Sequence, residues 1–333
     1  MLAVVSESFD RWPAFPLRTT QLEHLRWKLE SSETHVVLLV DDELVGVSCS
    51  WNSDAKVGTA VLPVYNGADM AIAPRFQGRG LGSRLEATWD SGESRNYLTI
   101  DAIASSAAAR HLYPIDGPVI AAEAWSRPIG VRRTLGSLAV GAGRRSFGRH
   151  IARRLPGSVG TAPHLKVRAV TRFGAEVDEL WEQASTAFDV LWVRRAAWLN
   201  WRYLDVRSGI ISVWGAWSEG TLLGYLAVRG PNDNGVAKLL DIFAVPERPD
   251  VLAALLERAI HQARSEKAVR IDAWLAPGHP YAAALQRARF FDTGVDQPVH
   301  FDLSKLEETP EAATILSEPG TSFHIALGDF DWA

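Results

Sequence analysis

The sequence predicts an α/β fold with mixed sheets, built from two similar halves along its 333 residues. Three observations lead to this prediction. Strand-like runs alternate with helical segments at the spacing typical of α/β proteins. The second half repeats the order of elements found in the first. A glycine-rich loop lies between a strand and a helix in the first half and is missing from the second.

The first elements that correspond are a helical segment and the β-hairpin that follows it. In the first half these are residues 24–28, 34–40 and 45–51. In the second half they are residues 198–202, 210–217 and 222–229. With this alignment Trp27 matches Trp201, and Gly46 matches Gly224.

The later elements correspond as well. Each half continues with an apolar strand that ends at a proline, then a helix, another strand and a last helix. In the first half these are residues 70–74, 81–90, 97–103 and 109–113. In the second half they are residues 242–246, 251–265, 269–275 and 282–285. Repetition of the whole order predicts an internal duplication.

The domain boundaries follow from the repeat. We expect a first domain at residues 1–125, an arginine-rich linker at 126–162 and a second domain at 163–333. Eight arginines between residues 127 and 155 mark the linker; such a run is otherwise typical of a solvated basic face.

The C-terminal residues 322–328 predict an extra strand. The chain starts almost directly with the helical segment, so the first sheet would lack an edge strand and expose unpaired backbone groups. One hypothesis is that the tail pairs with the first domain's sheet. The other is that the tail extends the sheet of its own domain.

Composition excludes several classes of protein. Hydrophobic residues make up 47% and charged residues 22%, which is enough for two ordinary cores. A net charge of −4 argues against a nucleic-acid partner. Cys49 is the one cysteine, so neither an internal disulfide nor a thiolate zinc cluster is expected. The sequence contains neither a secretory signal nor an apolar run of about 20 residues, so we expect a cytoplasmic protein without a membrane partner.

The loop at residues 72–83 carries the chemistry. Pro74 ends the strand, because proline cannot continue the hydrogen-bond ladder. Gly78, Gly80 and Gly82 let the backbone bend and approach a ligand closely. A helix starts at once, so unpaired N–H groups point at one place, which suits a pyrophosphate.

The loop sequence Gln77-Gly-Arg-Gly-Leu-Gly82 resembles the acyl-CoA signature Q/R-x-x-G-x-G/A of the GNAT superfamily. Residues 106–117 resemble the later family motif N-x-x-A-x-x-L-Y-x-x-x-G-F, with Ser106 in place of asparagine and Pro118 in place of phenylalanine. The resemblance implies acetyl-CoA or another acyl-CoA as the donor. The residues it implies for cofactor binding are Met70, Ile72, Gln77, Gly78, Arg79, Gly80, Leu81, Gly82 and Ser83.

The resemblance also implies catalytic residues. Tyr113 matches the tyrosine that protonates the departing thiolate as a general acid. Asp69, just before the predicted cofactor strand, is our candidate for the base that accepts the proton of the attacking amine. The family's usual glutamate is not visible. His111 and Asp101 are weaker candidates.

The second half lacks the loop. Pro246 is followed by Glu247-Arg-Pro-Asp-Val251, which has no glycine and places two carboxylates where a phosphate would bind. We therefore expect one acyl-CoA site per chain.

Three functions remain open at this point. The first is an acyl-CoA N-acyltransferase that acts on an amine of a small molecule, such as an amino sugar or a natural-product intermediate. The second is a module that binds acyl-CoA without turnover. The third is a protein or peptide N-acetyltransferase.

Overall fold

The strands of both halves join in one continuous sheet. In the computed structural model, the described residues are 1–31, 35–90, 98–102, 117–129, 164–304, 306 and 309–330. Within them the sheet has 13 strands, with helices packed against it. The predicted α/β class is therefore confirmed.

The first half supplies three described helices and five strands. The helices are α1 (Leu2–Ser8), α2 (Gln21–Glu30) and α3 (Leu81–Asp90). The strands are β1 (His35–Val40), β2 (Glu43–Val57), β3 (Ala60–Ile72), β4 (Leu98–Ala102) and β5 (Val119–Pro128). Asp41 and Asp42 connect β1 to β2 with φ angles of +49° and +62°, the conformation of a tight hairpin turn.

The second half supplies the remaining elements. Its strands are β6 (Lys166–Ala169), β7 (Val190–Trp192), β8 (Ile211–Ser218), β9 (Thr221–Arg229), β10 (Val236–Ala244), β11 (Arg270–Leu275), β12 (Phe291–Asp302) and β13 (Phe323–His324). Its helices are α4 (Ala175–Ala184), α5 (Ala196–Leu199), α6 (Pro249–Ser265), α7 (Ala282–Arg287) and α8 (Pro310–Ser317).

The order of the strands interleaves the two halves. From one edge the order is β13, β7, β2, β3, β4, β12, β5, β11, β10, β9, β8 and β6, with β1 also paired to β2. Strand β12 of the second half lies between β4 and β5 of the first half. Strand β5 in turn pairs with β11 of the second half.

The predicted boundaries need correction on this evidence of strand pairing. A boundary at residue 125 would cut β5, which lies in the middle of the sheet. Residues 130–163, most of the predicted linker, lie outside the described residues. Arg127 belongs to β5, is buried, and donates from Nε to the carbonyl of Ala288 at 2.6 Å. It is therefore not part of a solvated basic face.

The C-terminal strand is shorter than predicted, and its neighbour in the sheet is β7. Only Phe323 and His324 are in a strand, β13, and they pair in parallel with β7. The strand that pairs with the first half at this edge is β7, through residues 55–57 of β2. The hypothesis that the tail pairs directly with the first half's sheet is therefore wrong, although β7 does link the tail to that sheet.

The hydrophobic core crosses the boundary between the halves. One cluster packs first-half residues such as Val64 and Ile100 against second-half residues such as Trp192, Phe301 and Phe330. A larger cluster belongs mainly to the second half, and a smaller one joins α1 and α2 to β2 and β3. Burial of apolar area therefore couples the two halves.

Candidate functional site

The glycine-rich loop follows β3 through a 3-10 turn, Pro74–Phe76, and leads into α3. Gly78 and Gly80 have φ angles of +74° and +71°, which L side chains rarely adopt. A Cβ atom added at either position would meet no atom of the described residues within 4 Å. The glycines are therefore needed for the bend of the backbone, and no described atom fills the space beside them.

Several N–H groups of the loop are available to that ligand. Phe76 and Gln77 donate theirs to carbonyls of the preceding turn. The N–H groups of Gly78, Arg79 and Gly80 have no acceptor in the described part of the chain. The first N–H groups of α3 have no partner within the helix, because each helical N–H bonds four residues back. This arrangement suits an anion.

Two arginines lie beside the loop. The guanidinium groups of Arg75 and Arg79 lie 5.3 and 5.1 Å from the centre of the Phe76 ring. Arg75 is ion-paired with Glu43 and, at 3.5 Å, with Glu7. Arg79 forms no ion pair with a described residue, so its charge is available to a phosphate.

The strand before the loop, β3, has β4 as its parallel neighbour. Among the described residues, Val64 pairs with Leu98 and Tyr65 with Thr99. β3 continues to Ile72, and the described part of β4 ends at Ala102. A gap between parallel strands is where the family resemblance places the pantetheine.

β3 is longer than predicted and contains a bulge. It begins at Ala60, so Asp69 lies within the strand rather than just before it. Asp69 and Met70 together oppose Ser48 of β2, where the register shifts. Asp69 has a φ angle of +49°. Such bulges bend a strand and are frequent beside active sites.

The carboxylate of Asp69 is held by two donors. Lys28 Nζ lies 2.7 Å from Oδ2, and the Trp12 indole donates to Oδ1 at 2.6 Å. The side chains of Lys28 and Asp69 are 6% and 5% exposed. To accept a proton, Asp69 would have to give up a buried ion pair. Its role as a base stays a prediction.

Ile72 directs its carbonyl away from β2. Ala73 donates its N–H to Val45 of β2 at 2.8 Å, so the Ile72 carbonyl, in the same peptide unit, points to the opposite side. That carbonyl accepts from Ser8 Oγ at 3.0 Å and from Gln77 Nε2 at 2.9 Å. The side chain of Gln77 therefore joins the loop to the predicted pantetheine edge.

The matching edge in the second half is already occupied. Val245 donates to Leu223 as Ala73 does to Val45, so Ala244 takes the place of Ile72. The Tyr281 hydroxyl donates to the Ala244 carbonyl at 2.9 Å and accepts from the Ala244 N–H at 3.1 Å. A side chain of the protein therefore occupies the backbone groups that would bind a cofactor.

The start of α6 is occupied too. Arg248 donates from Nε and Nη2 to the Asp250 carboxylate, at 2.9 and 2.8 Å. These hydrogen bonds hold the pKa of Asp250 at about 2. Because Asp250 lies in the first turn of the helix, a carboxylate of the chain stands where a phosphate would bind.

A buried polar network lies behind this second edge. Arg194 donates to Asp241 at 2.9 Å and to both oxygens of Asp329 at 2.9 and 3.0 Å. Tyr225 donates to Asp241 at 2.6 Å. All of these side chains are buried. Although burial alone would raise it, the pKa of Asp241 is held well below its usual range, mainly by Arg194.

Two histidines extend the network to the C-terminal segment. The Tyr281 N–H donates to His279 Nδ1 at 3.0 Å, so His279 carries its proton on Nε2, which lies 2.8 Å from His324 Nδ1. His324 Nε2 then faces Asp241 Oδ1 at 3.3 Å. Burial lowers the pKa of His324 to about 4 and that of His279 well below its usual value. Both rings are therefore neutral.

The remaining predicted residues are not brought together by the structure. Tyr113 and His111 lie outside the described residues. Asp101 is in β4, where its backbone pairs with His300. Sequence reasoning missed Lys28 and Trp12, which lie far from Asp69 along the chain. The one sequence signal for this contact was Lys28 itself, which lies on the same face of the predicted helix as His24 and Trp27.

Two general properties complete the description of the site. Among the described ranges, no group of three or more His, Cys, Asp or Glu side chains could hold a metal ion. No helix in that part of the chain is both long and apolar enough to cross a membrane.

Residues 2–114 match the model of the acetyltransferase (GNAT) family. N-myristoyltransferase of Saccharomyces cerevisiae with bound myristoyl-CoA is similar in fold, with 14% identity and a TM-score of 0.56, over 90% of this chain and 74% of that one. A probable N-acyltransferase from Enterococcus faecalis has 12% identity and a TM-score of 0.59, over 92% and 70%.

A GCN5-related N-acetyltransferase from Anabaena variabilis has 11% identity and a TM-score of 0.58, over 90% of this chain and 68% of that one. At such identities the likeness is one of fold. No curated protein sequence is similar enough to count as a match.

Proposed function

We propose that this chain, whose residues 2–114 match the model of the acetyltransferase (GNAT) family, is an acyl-CoA-dependent N-acyltransferase. The acceptor is an amine of a small molecule, such as an amino sugar or a natural-product intermediate. The observation that carries the proposal is the loop at Gly78 and Gly80, where the backbone has positive φ angles and an added Cβ atom would meet no described atom within 4 Å. The net charge of −4 favours a cationic amine over an acidic acceptor.

In this proposal the first half binds the donor. The N–H groups of the loop and of the first turn of α3 bind the pyrophosphate, with Arg79 nearby. The backbone around Met70 and Ile72 binds the pantetheine, and one N–H there polarises the thioester carbonyl. Gln77 would exchange its bond to Ile72 for contacts with the cofactor.

The reaction forms a C–N bond and breaks the C–S bond of the thioester. The neutral amine attacks the carbonyl carbon and loses a proton to a base of the site or to water. Coenzyme A leaves as a thiolate, and Tyr113 is proposed to protonate it as a general acid. The second half binds no donor, because Tyr281 and Asp250 occupy the matching positions.

The second candidate is transfer to a protein or peptide amine. It is motivated by the fold likeness to N-myristoyltransferase over 90% of this chain. The same likeness raises the question of acyl length, since that enzyme was crystallised with myristoyl-CoA.

A thiol-release assay tests the proposal. Acetyl-CoA and longer acyl-CoAs are each combined with small amines, amino sugars and peptides with free amino termini. We expect release of coenzyme A with a small amine and none with peptides. Release with peptides alone would favour the second candidate. Binding of acyl-CoA without release across the panel would indicate a module that binds without turnover.

A further inference from the structure

The bulge in β3 is anchored from outside the sheet. Lys28 belongs to α2 and Trp12 to the segment before it, and both donors reach the carboxylate of Asp69. Lys28 Nζ also lies 5.4 Å from the centre of the Trp12 ring. A non-glycine residue at positive φ is strained and persists only where its surroundings hold it. The ion pair supplies that hold.

The second half contains a related arrangement, although Asp241 lacks the positive φ angle of Asp69. Asp241 stands five residues before Pro246, as Asp69 stands five residues before Pro74. It too lies where the register of its strand shifts, and a buried cation, Arg194, holds its carboxylate. Because Tyr281 occupies the matching cofactor edge there, a proton acceptor at Asp241 would have no substrate. The recurrence therefore points to a role in fixing the strand.

We infer that Lys28 is a positioning residue for acyl transfer. It holds Asp69 and thereby fixes the backbone of Asp69 and Met70 in the bulge of β3, the part of the strand where the family resemblance places the cofactor. This inference rests on the proposed function, since it assumes that this backbone faces the thioester. It also means that Asp69 acts through its backbone and does not accept the proton of the amine.

The test compares K28M with variants of its partner. K28M leaves a buried carboxylate unpaired, so D69N and the double variant K28M/D69N are measured alongside it, and K28R serves as the conservative replacement. K56M is the matched control. Lys56 is a half-buried lysine of β2 that donates to the carbonyls of Ser185 and Phe188, away from the bulge.

We expect K28M to lower kcat about 10- to 100-fold, the effect of a misplaced reacting group. The Kd for acetyl-CoA, measured by calorimetry, should stay within about twofold. K28R should recover most of kcat. The double variant should be no slower than the slower single variant, because both residues act through one contact.

Two readouts separate positioning from mere stability. In the free protein, the backbone amide NMR signals of Asp69 and Met70 should shift in K28M and not in K56M. The pH profile of kcat should keep its shape in D69N.

The inference is overturned if K28M keeps the wild-type kcat. It is also overturned if D69N removes the acidic limb of the pH profile, since Asp69 would then be the base. Both results require an active wild-type enzyme. A wild-type protein that neither binds acyl-CoA nor releases thiol would instead overturn the proposed function, and this inference with it.

Discussion

At the scale of single residues, the glycines of the loop make the sharpest prediction. We expect Gly80→Asp to abolish acyl-CoA binding, because an aspartate at a φ angle of +71° is strained and its carboxylate would meet the phosphates. Gly220→Asp is the control, since Gly220 also has positive φ and open space around it but lies in the β8–β9 turn. Calorimetry should give one site per chain for the wild type and the control. Two sites in the wild type would contradict the asymmetry of the halves.

Tyr113 is a second test at this scale. We expect Tyr113→Phe to lower kcat about 100- to 10,000-fold, because loss of a general acid removes proton transfer to the thiolate. The Kd for acyl-CoA should change little, since the substitution spares ground-state binding. Single-turnover kinetics measures the chemical step directly. If the Tyr113→Phe variant reacted at the wild-type rate on the true substrate, Tyr113 would not be the general acid.

Residue-level features differed in how far the sequence could predict them. Gly78 and Gly80 were identifiable because the reason for them is local: three glycines follow a strand and precede a helix. The contact of Lys28 with Asp69 was not, because it joins residues 41 positions apart and depends on how α2 packs on β3. Asp69 was therefore assigned a role without the partners that surround it.

At the scale of elements, the C-terminal segment is a part of the core. The carbonyls of Gly328 and Phe330 accept from Arg202, both at 2.8 Å. A Cβ atom on Gly328 would lie 3.0 Å from the Leu240 carbonyl of β10. The segment therefore packs on β10, the strand that matches β3 of the first half. Because most of the segment lies on the sheet, only Phe323 and His324 join the sheet as a strand.

The network that holds this segment predicts a pH dependence. The pKa of His324 is about 4 in the fold, because it is buried, against 6.5 ordinarily. Between these values the unfolded chain binds more protons, so stability falls as the pH falls from 6.5 to 4. His279 shifts in the same direction. Burial raises the pKa of Asp329 to about 6, and the proton taken up by the folded state offsets part of the loss.

We expect the melting temperature to drop from pH 7.5 to pH 5, since each buried histidine costs about 1.4 kcal/mol per pH unit below its unfolded pKa. Differential scanning calorimetry of the wild type and of His324→Gln checks this. The variant should lose less stability over the same range. An equal loss in both proteins would show that the histidine network is not responsible.

The elements themselves were predicted unevenly, for a physical reason. The hairpins β1–β2 and β8–β9 and helix α3 lie close to their predicted positions, because turn residues and periodicity are local signals. The first ten residues of β3 and the whole of β12 were missed. β12 depends on β4 and β5, which lie far away in sequence. The missed part of β3 forms a hairpin with β2 across the turn at Gly58 and Thr59, a local signal that the prediction overlooked.

At the scale of the whole molecule, the two halves are related like the subunits of a symmetric dimer. The Trp27 indole donates to the Trp201 carbonyl at 3.0 Å, and the Trp201 indole to the Trp27 carbonyl at 3.4 Å. Their rings stack at 4.8 Å. A reciprocal contact between matching residues is the mark of a two-fold relation. It supports the predicted internal duplication.

The strand order has the same symmetry. From β3 the sheet runs β3, β4, β12, β5, β11 and β10. Since β3 matches β10, β4 matches β11 and β5 matches β12, this order reads the same from either end. β5 of the first half and β12 of the second half, the matching strands, thus each pair with a strand of the other half. Sequence could not predict this exchange, because a strand that pairs within its own half and one that pairs across have the same local pattern.

This exchange makes a prediction about cooperativity. A protease site inserted between residues 130 and 163 allows the chain to be cut between β5 and β6. Without β12, the first fragment would leave β4 and β5 with unpaired edges and lose Phe301 from its core. We therefore expect the two fragments to stay together in size-exclusion chromatography and to separate only in denaturant. Calorimetry of the uncut chain should show one transition, with equal calorimetric and van't Hoff enthalpies. Fragments that separate under native conditions, or two resolved transitions, would mean that each half holds its fold alone.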